Sequence, residues 1–378
     1  MMQSINYTDD RLEYPGFYNI YPIKNEISVH SGTGESLRIG NRTNFIIDDN
    51  YGRILNEDVN CPYGNSKTLN YYFHIGTHTI VDELRVPYRK IPIIKFEDFE
   101  ILSKLIIQIA YENPDYEILL RGQTSLYRIE RTEKENLFLF GEGEIKEPSF
   151  KPSFIRSDFN EFFIYGLWHS QTALMLHNVG IDLRKKLCEK DYNEYIADVV
   201  KIKNSFHFTP ISLGFAQHYG LPSIGLDLTK DIKVATWFAT NKLIVDNNGL
   251  AETQLLKDFS ESTIFIFRCP EDTVFSHKSI KPKFIENTRP DRQDAWFCHS
   301  GWGMSKNQLA TNLVLAVRLD NRTSNLFDSN YTNYLFPDSN DDLVLNYFID
   351  IKENLKNTGE VRRALNKIYM LKNRKTHN

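Results

Sequence analysis

The feature that most constrains the fold is a change of apolar period. From Lys95 onward, Phe96, Phe99, Leu102, Leu105, Ile106 and Ala110 recur at three- and four-residue spacing, as the buried face of a helix does. Asn113-Pro114-Asp115 ends that run. Glu117-Ile118-Leu119-Leu120 follows, a short and largely apolar stretch bounded by a turn and by Arg121-Gly122, with the length of a buried strand. The next run of that kind, Ile224-Gly225-Leu226-Asp227-Leu228, comes only after a long helical stretch. Within it, Phe162, Phe163, Leu167, Leu174, Leu176, Ile181, Leu187, Tyr195 and Val199 predict two or three helices between residues 159 and 204, with another over 211–218. The chain is therefore expected to be α+β, with helices between its first two core strands.

The flanks read differently. The first ninety or so residues are rich in Tyr, Asn, Gly and Asp, with short β-like runs at 43–47, 70–74 and 79–81 between turn signals. Residues 133–150 read as an exposed hairpin or loop around Gly141-Glu142-Gly143-Glu144, and Lys151-Pro152-Ser153 as the start of a helix. After Gly220-Leu221-Pro222 and the second buried run, residues 231–239 form a helix with an acidic start. The last third offers strands at 263–267, 295–298, 313–317 and 334–336, then a helix over 341–354. These signals divide the chain into a β-rich extension (1–93), a central domain (94–354) and a basic tail (355–378).

Composition supports a substantial sheet. Of 378 residues, 41% are hydrophobic and 13% aromatic, with 25 Phe and 20 Tyr, and such side chains fit a pleated, half-buried surface. A net charge of −4 gives no overall basic field for a nucleic-acid backbone. Any such contact must be local, near the basic C-terminus or around Lys278, Lys281 and Lys283, and solvated faces account for those charges more simply. Cys61, Cys188, Cys269 and Cys298 form no C-x-x-C pair and read as reduced thiols. The N-terminus lacks the basic start and apolar core of a signal peptide, and no stretch approaches the roughly 18 apolar residues of a membrane span. The expected location is the cytoplasm, with no membrane partner.

Three places could carry chemistry. Arg121 at a strand end offers a rigid fork of donors for an anion, and Gly122 lets a ligand approach the backbone; an Arg there is also often a structural ion-pair residue. Gln217-His218-Tyr219-Gly220-Leu221-Pro222 places hydrogen-bonding and aromatic groups on a helix end before a fixed turn, suited either to a flat or sugar-like ligand or to stapling helix to strand. Asp227, between Leu226 and Leu228, either pairs in the core or acts as a polarising carboxylate. His74 and His78 lie four apart, but without a helix or a nearby Glu they do not match a zinc-protease pattern, and no metal site is expected. A G-x-S-x-G elbow and a Walker-type loop are both absent from the sequence.

Taken together, Leu120-Arg121-Gly122-Gln123, Lys151-Pro152-Ser153-Phe154-Ile155-Arg156, Ala216 through Pro222 with Leu226-Asp227-Leu228-Thr229, Trp237-Phe238-Ala239, and Arg289 four residues before Gln293 resemble the FRG domain over residues 94–354. That family is itself similar to the ADP-ribosyltransferase superfamily, which implies a split β-sandwich holding NAD, as co-substrate, between two small sheets. The resemblance implies that Arg121 grips the dinucleotide, that Tyr219 or His218 supports the nicotinamide side, and that Gln293 bonds the ribose. Gly122, Gln123, Gln217, Thr229 and Arg289 complete the expected binding set. Gln293 is neutral and cannot steady an oxocarbenium ion, so the negative charge falls to Asp227 or Asp294; strand alternation favours Asp227. This chain has Ser223 through Thr229 where the family carries an additional Arg and Trp, and Ala295 where it carries Gly. The function so implied is ADP-ribosyl transfer to a macromolecule, protein or nucleic acid, in a toxin-like or defence effector. The alternatives are a non-catalytic nucleotide-binding sensor and a structural domain with a buried polar core.

Overall fold

In the computed structural model of the chain, the described residues are 93–145, 147–299, 306–320, 327, 329–354 and 359–372, with short pieces of the lead-in at 3–5, 27–29, 37–39, 45–48, 50, 51, 53–56, 61 and 63. The lead-in contributes β1 (Gln3–Ile5) paired with β2 (Ile27–Val29), and a second antiparallel sheet of β3 (Leu37–Ile39), β4 (Phe45–Asp48) and β5 (Arg53–Asn56). The run expected at 43–47 is thus β4. Those at 70–74 and 79–81, and the His74/His78 pair, lie outside the described residues.

The body begins with β6 (Ile93–Lys95) and α1 (Phe99–Glu112), which Asp98 starts by accepting a hydrogen bond from the Ile101 N–H and Asn113 ends. β7 (Tyr116–Gln123) runs longer than its apolar core, so Arg121 lies inside the strand rather than at its end. The segment expected as an exposed hairpin holds α2 (Glu133–Phe140), with Leu139 and Phe140 buried. Thr132 and Glu135 form a reciprocal capping box, and Gly141 closes the helix in the left-handed conformation at φ 74°.

Next come α3 (Glu161–Arg184), α4 (Glu189–Lys203) and α5 (Phe208–His218), whose inner faces meet around Trp168, Met175, Tyr195 and Phe215. β8 (Gly225–Thr229) leads into α6 (Ile232–Thr240), capped by Asp231, whose carboxylate accepts from Lys233 and Val234. The chain continues through β9 (Asn241–Val245), β10 (Leu250–Leu255), β11 (Thr263–Pro270), β12 (Val274–Ser276), α7 (His277–Ile280), α8 (Arg289–Arg292), β13 (Ala295–His299) and β14 (Leu313–Arg318). It ends with α9 (Ser329–Leu335), α10 (Leu343–Asn354), α11 (Gly359–Leu365) and β15 (Met370–Leu371). The strand expected at 334–336 is instead the end of α9, where Tyr331 and Tyr334 stack at 6.0 Å and Leu335 and Phe336 pack beneath Trp237. Residues 359–372, expected as tail, belong to the body: Leu365 and Ile368 are buried and β15 pairs with β10.

Seven strands form the main sheet, in the order β12-β13-β8-β7-β11-β14-β6, antiparallel except where β6 joins β14. β11 and β12 are separated in the sheet by three strands, yet in the chain only by the turn Glu271–Thr273. At about 3.6 Å per residue that turn cannot cross a flat sheet, so the sheet rolls. Leu119, Leu226, Leu228, Phe265, Phe267 and Val274 form a core within the roll. Ile118, Leu120, Ile264 and Ile266 face out against α1 and α6. The chain is a mixed α+β fold with this sheet and a smaller one of β15, β10 and β9.

The lead-in is fastened by buried charge. Arg131 lies between Asp48 (Nη2–Oδ2 3.0 Å) and Glu147 (Nε–Oε2 2.5 Å) with all three side chains at 1% exposure or less. The Tyr63 hydroxyl donates to Asp48 and that of Tyr51 to Glu147.

Candidate functional site

β7 and β8 are paired in the sheet at a single position, Leu120 with Thr229, although their antiparallel course would allow the ladder to continue. Beyond that pair, the stretches Arg121–Gln123 and Leu226–Leu228 part. Arg121 bridges the gap, its Nη1 donating to the Asp227 main-chain oxygen at 2.6 Å. α6 roofs the gap because residue 122 is Gly: a Cβ there would lie 1.8 Å from the Ala235 carbonyl oxygen. The result is a cavity of about 140 Å³, walled by β7 and β8, by Val234, Ala235 and Phe238 of α6, and by His218, Gln293 and Ala295.

Asp227 keeps 29% of its side-chain surface exposed and lines that cavity. Burial pushes its carboxyl up to about 7, against the pull of Arg121 and of a hydrogen bond from Gln217. His218 moves the other way, down to about 3, because burial and then the Arg289 guanidinium disfavour a cationic ring, against a bond with Gln293. Its Nε2 lies 3.2 Å from Asp227 Oδ1 but is not aligned for a hydrogen bond, and neither atom has a hydrogen-bond partner among the described residues. A charged pair does not describe this contact, since the ring resists protonation and the carboxyl resists ionisation. Arg121 is lowered from its ordinary value, chiefly by burial, and its Nε makes no hydrogen bond.

Of the expected positions, Arg121, Gly122, His218, Asp227, Thr229 and Gln293 line one cavity, and Gln217 supports Asp227 from α5. Gln123, Tyr219 and Arg289 are not in its wall. Gln123 is buried; the Tyr219 hydroxyl donates to Asp342 at 2.7 Å. Arg289 donates from Nη1 to the His218 carbonyl at 2.7 Å and from Nη2 to that of Tyr369, while its guanidinium lies 4.9 Å from the Tyr219 ring. It satisfies an orphan carbonyl at the end of α5 and so places His218. Thr229 spends its hydroxyl donating to the Gln293 main-chain oxygen and accepting from Asp231. Gln293 is the cap after α8 rather than a strand residue, and its Nε2 donates to the Leu335 carbonyl at 3.1 Å. Asp294, at φ 43°, pairs with Lys278 instead of entering the cavity.

Sequence reasoning missed His277, whose ring meets that of His218 edge-on at 4.9 Å and whose two nitrogens are buried without hydrogen-bond partners among the described residues. No local pattern marks it, because α7 meets α5 only through the fold. Among the described residues, no group of three or more His, Cys, Asp or Glu could hold a metal, and no helix is long and apolar enough to cross a membrane.

Against known proteins, residues 123–248 match the FRG domain, a narrower span than the motifs suggested. It takes in α5, β8 and α6; Arg121 and Gly122 directly precede it, and Gln293 follows. No curated protein and no solved structure matches the chain.

Proposed function

We propose that the FRG domain of this chain seats the nicotinamide end of NAD in the gap between β7 and β8 and transfers the ADP-ribosyl group to a macromolecular target. The observation that carries this reading is the placement of Arg121 and Asp227 on one cavity of about 140 Å³. A cavity of roughly 150 Å³ accepts benzene, so this one suits a single aromatic ring and not a whole dinucleotide. The phosphates would stay outside, with the partly exposed Arg121 the cavity's cation.

In that arrangement the bond between the pyridinium nitrogen and ribose C1′ breaks, and its electron pair goes to the ring, which leaves as neutral nicotinamide. The acceptor nucleophile supplies a new pair to C1′ and gives up its proton. Asp227 as carboxylate opposes the positive charge developing on the ribose and takes that proton. Only the ionised form does both, so the rate should rise with pH around a midpoint of about 7.

The test is incubation with NAD labelled in its adenylate half, with cell extract as the acceptor source. Label in macromolecules together with free nicotinamide supports transfer. NAD binding without nicotinamide release would instead favour a non-catalytic nucleotide sensor. One observation leans that way: Gln293 is neutral and buried, and its amide nitrogen already spends one of its two N–H groups on the Leu335 carbonyl.

A further inference from the structure

The smaller sheet, of β15, β10 and β9, ends on an open strand. Among the described residues β9 pairs with β10 alone, and it carries exposed apolar side chains, Ile244 at 45% and Val245 at 42%. The hairpin settles which of its backbone groups are spent. The Asp246 N–H donates to the Leu250 carbonyl and the Leu256 N–H to that of Thr240, so the even-numbered residues of β9 exchange their hydrogen bonds with β10. The N–H and C=O groups of Leu243 and Val245 therefore point the other way, along the free edge. Side chains alternate with the same period, so Lys242, Ile244 and, just past the strand, Asp246 share one face. Lys242 is exposed and has no ion-pair partner among the described residues. Asp246 keeps 36% of its side-chain surface open, with the Lys372 ammonium 3.6 Å away.

We propose that β9 joins the β9 of a second copy of this chain, antiparallel about a two-fold axis through Ile244, making one sheet of three strands from each copy. In that register Leu243 faces Val245 of the second copy, and each such pair exchanges two N–H···O bonds between groups that the hairpin leaves unspent. Ile244 meets its own counterpart on the axis. Lys242 falls opposite Asp246 of the second copy at a non-hydrogen-bonded position, where antiparallel side chains approach closest. One symmetry thus pairs the backbones and matches both charges, as a self-complementary interface requires. An axis through Lys242 or through Asp246 would set like charges against each other, and one through Leu243 or Val245 would set a charge against Ile244. An unmatched Lys on an edge strand repels association; one matched across the axis by Asp246 does not. The carboxylate next in on that face, Glu252 beside Ile244 on β10, is held by Lys372 at 2.8 Å. The pairing rests on nothing in the ADP-ribosyl reading.

Sedimentation velocity of the full chain over a concentration series tests it. The wild type should pass from monomer to dimer as concentration rises. Leu243→Pro removes only an outward N–H, at an edge position where a strand tolerates proline, so the ladder with β10 should stand while the dimer is lost. Lys242→Asp sets two carboxylates together at both symmetric positions and should raise the dimer Kd by roughly tenfold. Asp246→Lys should do the same with two ammonium groups, and a mixture of these two variants should dimerise again, because acid then meets base at both positions. A wild type that stays monomeric across the series overturns the proposal. So does a dimer that survives in a folded Leu243→Pro, an unchanged Kd in Lys242→Asp, or a mixture of folded variants that does not associate. Asp246 also accepts from the Asn248 and Leu250 N–H groups, so if Asp246→Lys does not fold, Leu243→Pro and Lys242→Asp decide.

Discussion

Asp227 and His218 are shifted in opposite directions by the same leading cause, removal from water, and their effects on stability oppose each other. Asp227 has a folded value of about 7, above its unfolded value of about 3.9, so its contribution is complete below the unfolded value and is lost as pH rises through 7. His218, depressed to about 3, contributes fully above its unfolded value of about 6.5 and loses that contribution as pH falls toward 3. Asp227→Asn keeps the size of the side chain but removes the ionisation. Its melting temperature should therefore gain on the wild type between pH 5 and pH 8; a difference independent of pH would show that Asp227 ionises as an ordinary carboxylate. At this scale the sequence was informative about which residues gather. Arg121, His218 and Asp227 were singled out by type and setting, and they share a cavity. What each does with its hydrogen bonds was not legible, because Thr229, Tyr219, Arg289 and Gln293 spend theirs on partners brought near only by the fold.

At the scale of elements, Gly122 decides how closely α6 lies on β7. Gly122→Ala should cost about 1–3 kcal/mol in denaturant unfolding, since the added carbon meets the backbone of Ala235 and not a side chain that can turn away. Gly166→Ala, inside α3 with nothing within 4 Å of the new carbon, should instead stabilise by about 0.5–1 kcal/mol. Equal costs at the two positions would mean that α6 does not rest on Gly122. Most elements were legible from period and caps, including α1, α5, β8, α6 and β13. Two were misread despite a usable signal: Thr132 and Glu135 spell a capping box for α2, and Tyr331 and Tyr334 sit at helical spacing in α9. The single-position pairing of β7 with β8 had no such signal, because the gap depends on the roll of the whole sheet.

Across the whole molecule, the buried Arg131 holds a lead-in carboxylate and a body carboxylate at once. Arg131→Met would leave Asp48 and Glu147 buried without their cation, at a cost of about 3–5 kcal/mol. Burial already raises the Glu147 carboxyl, so the deficit should shrink as pH falls and the acid form is reached. Denaturant midpoints at two pH values would show this, and a small cost that does not vary with pH would mean the charges are hydrated. The gap between β7 and β8 lies in the body that this clasp joins, and its proposed role is tested most directly by nicotinamide release from NAD, in the presence of cell extract, by wild type and Asp227→Asn, each first shown to bind NAD. The account predicts release by the wild type that rises through about pH 7, and loss of release in the variant with binding retained. Equal release by both proteins, or none by a wild type that binds NAD, would contradict it.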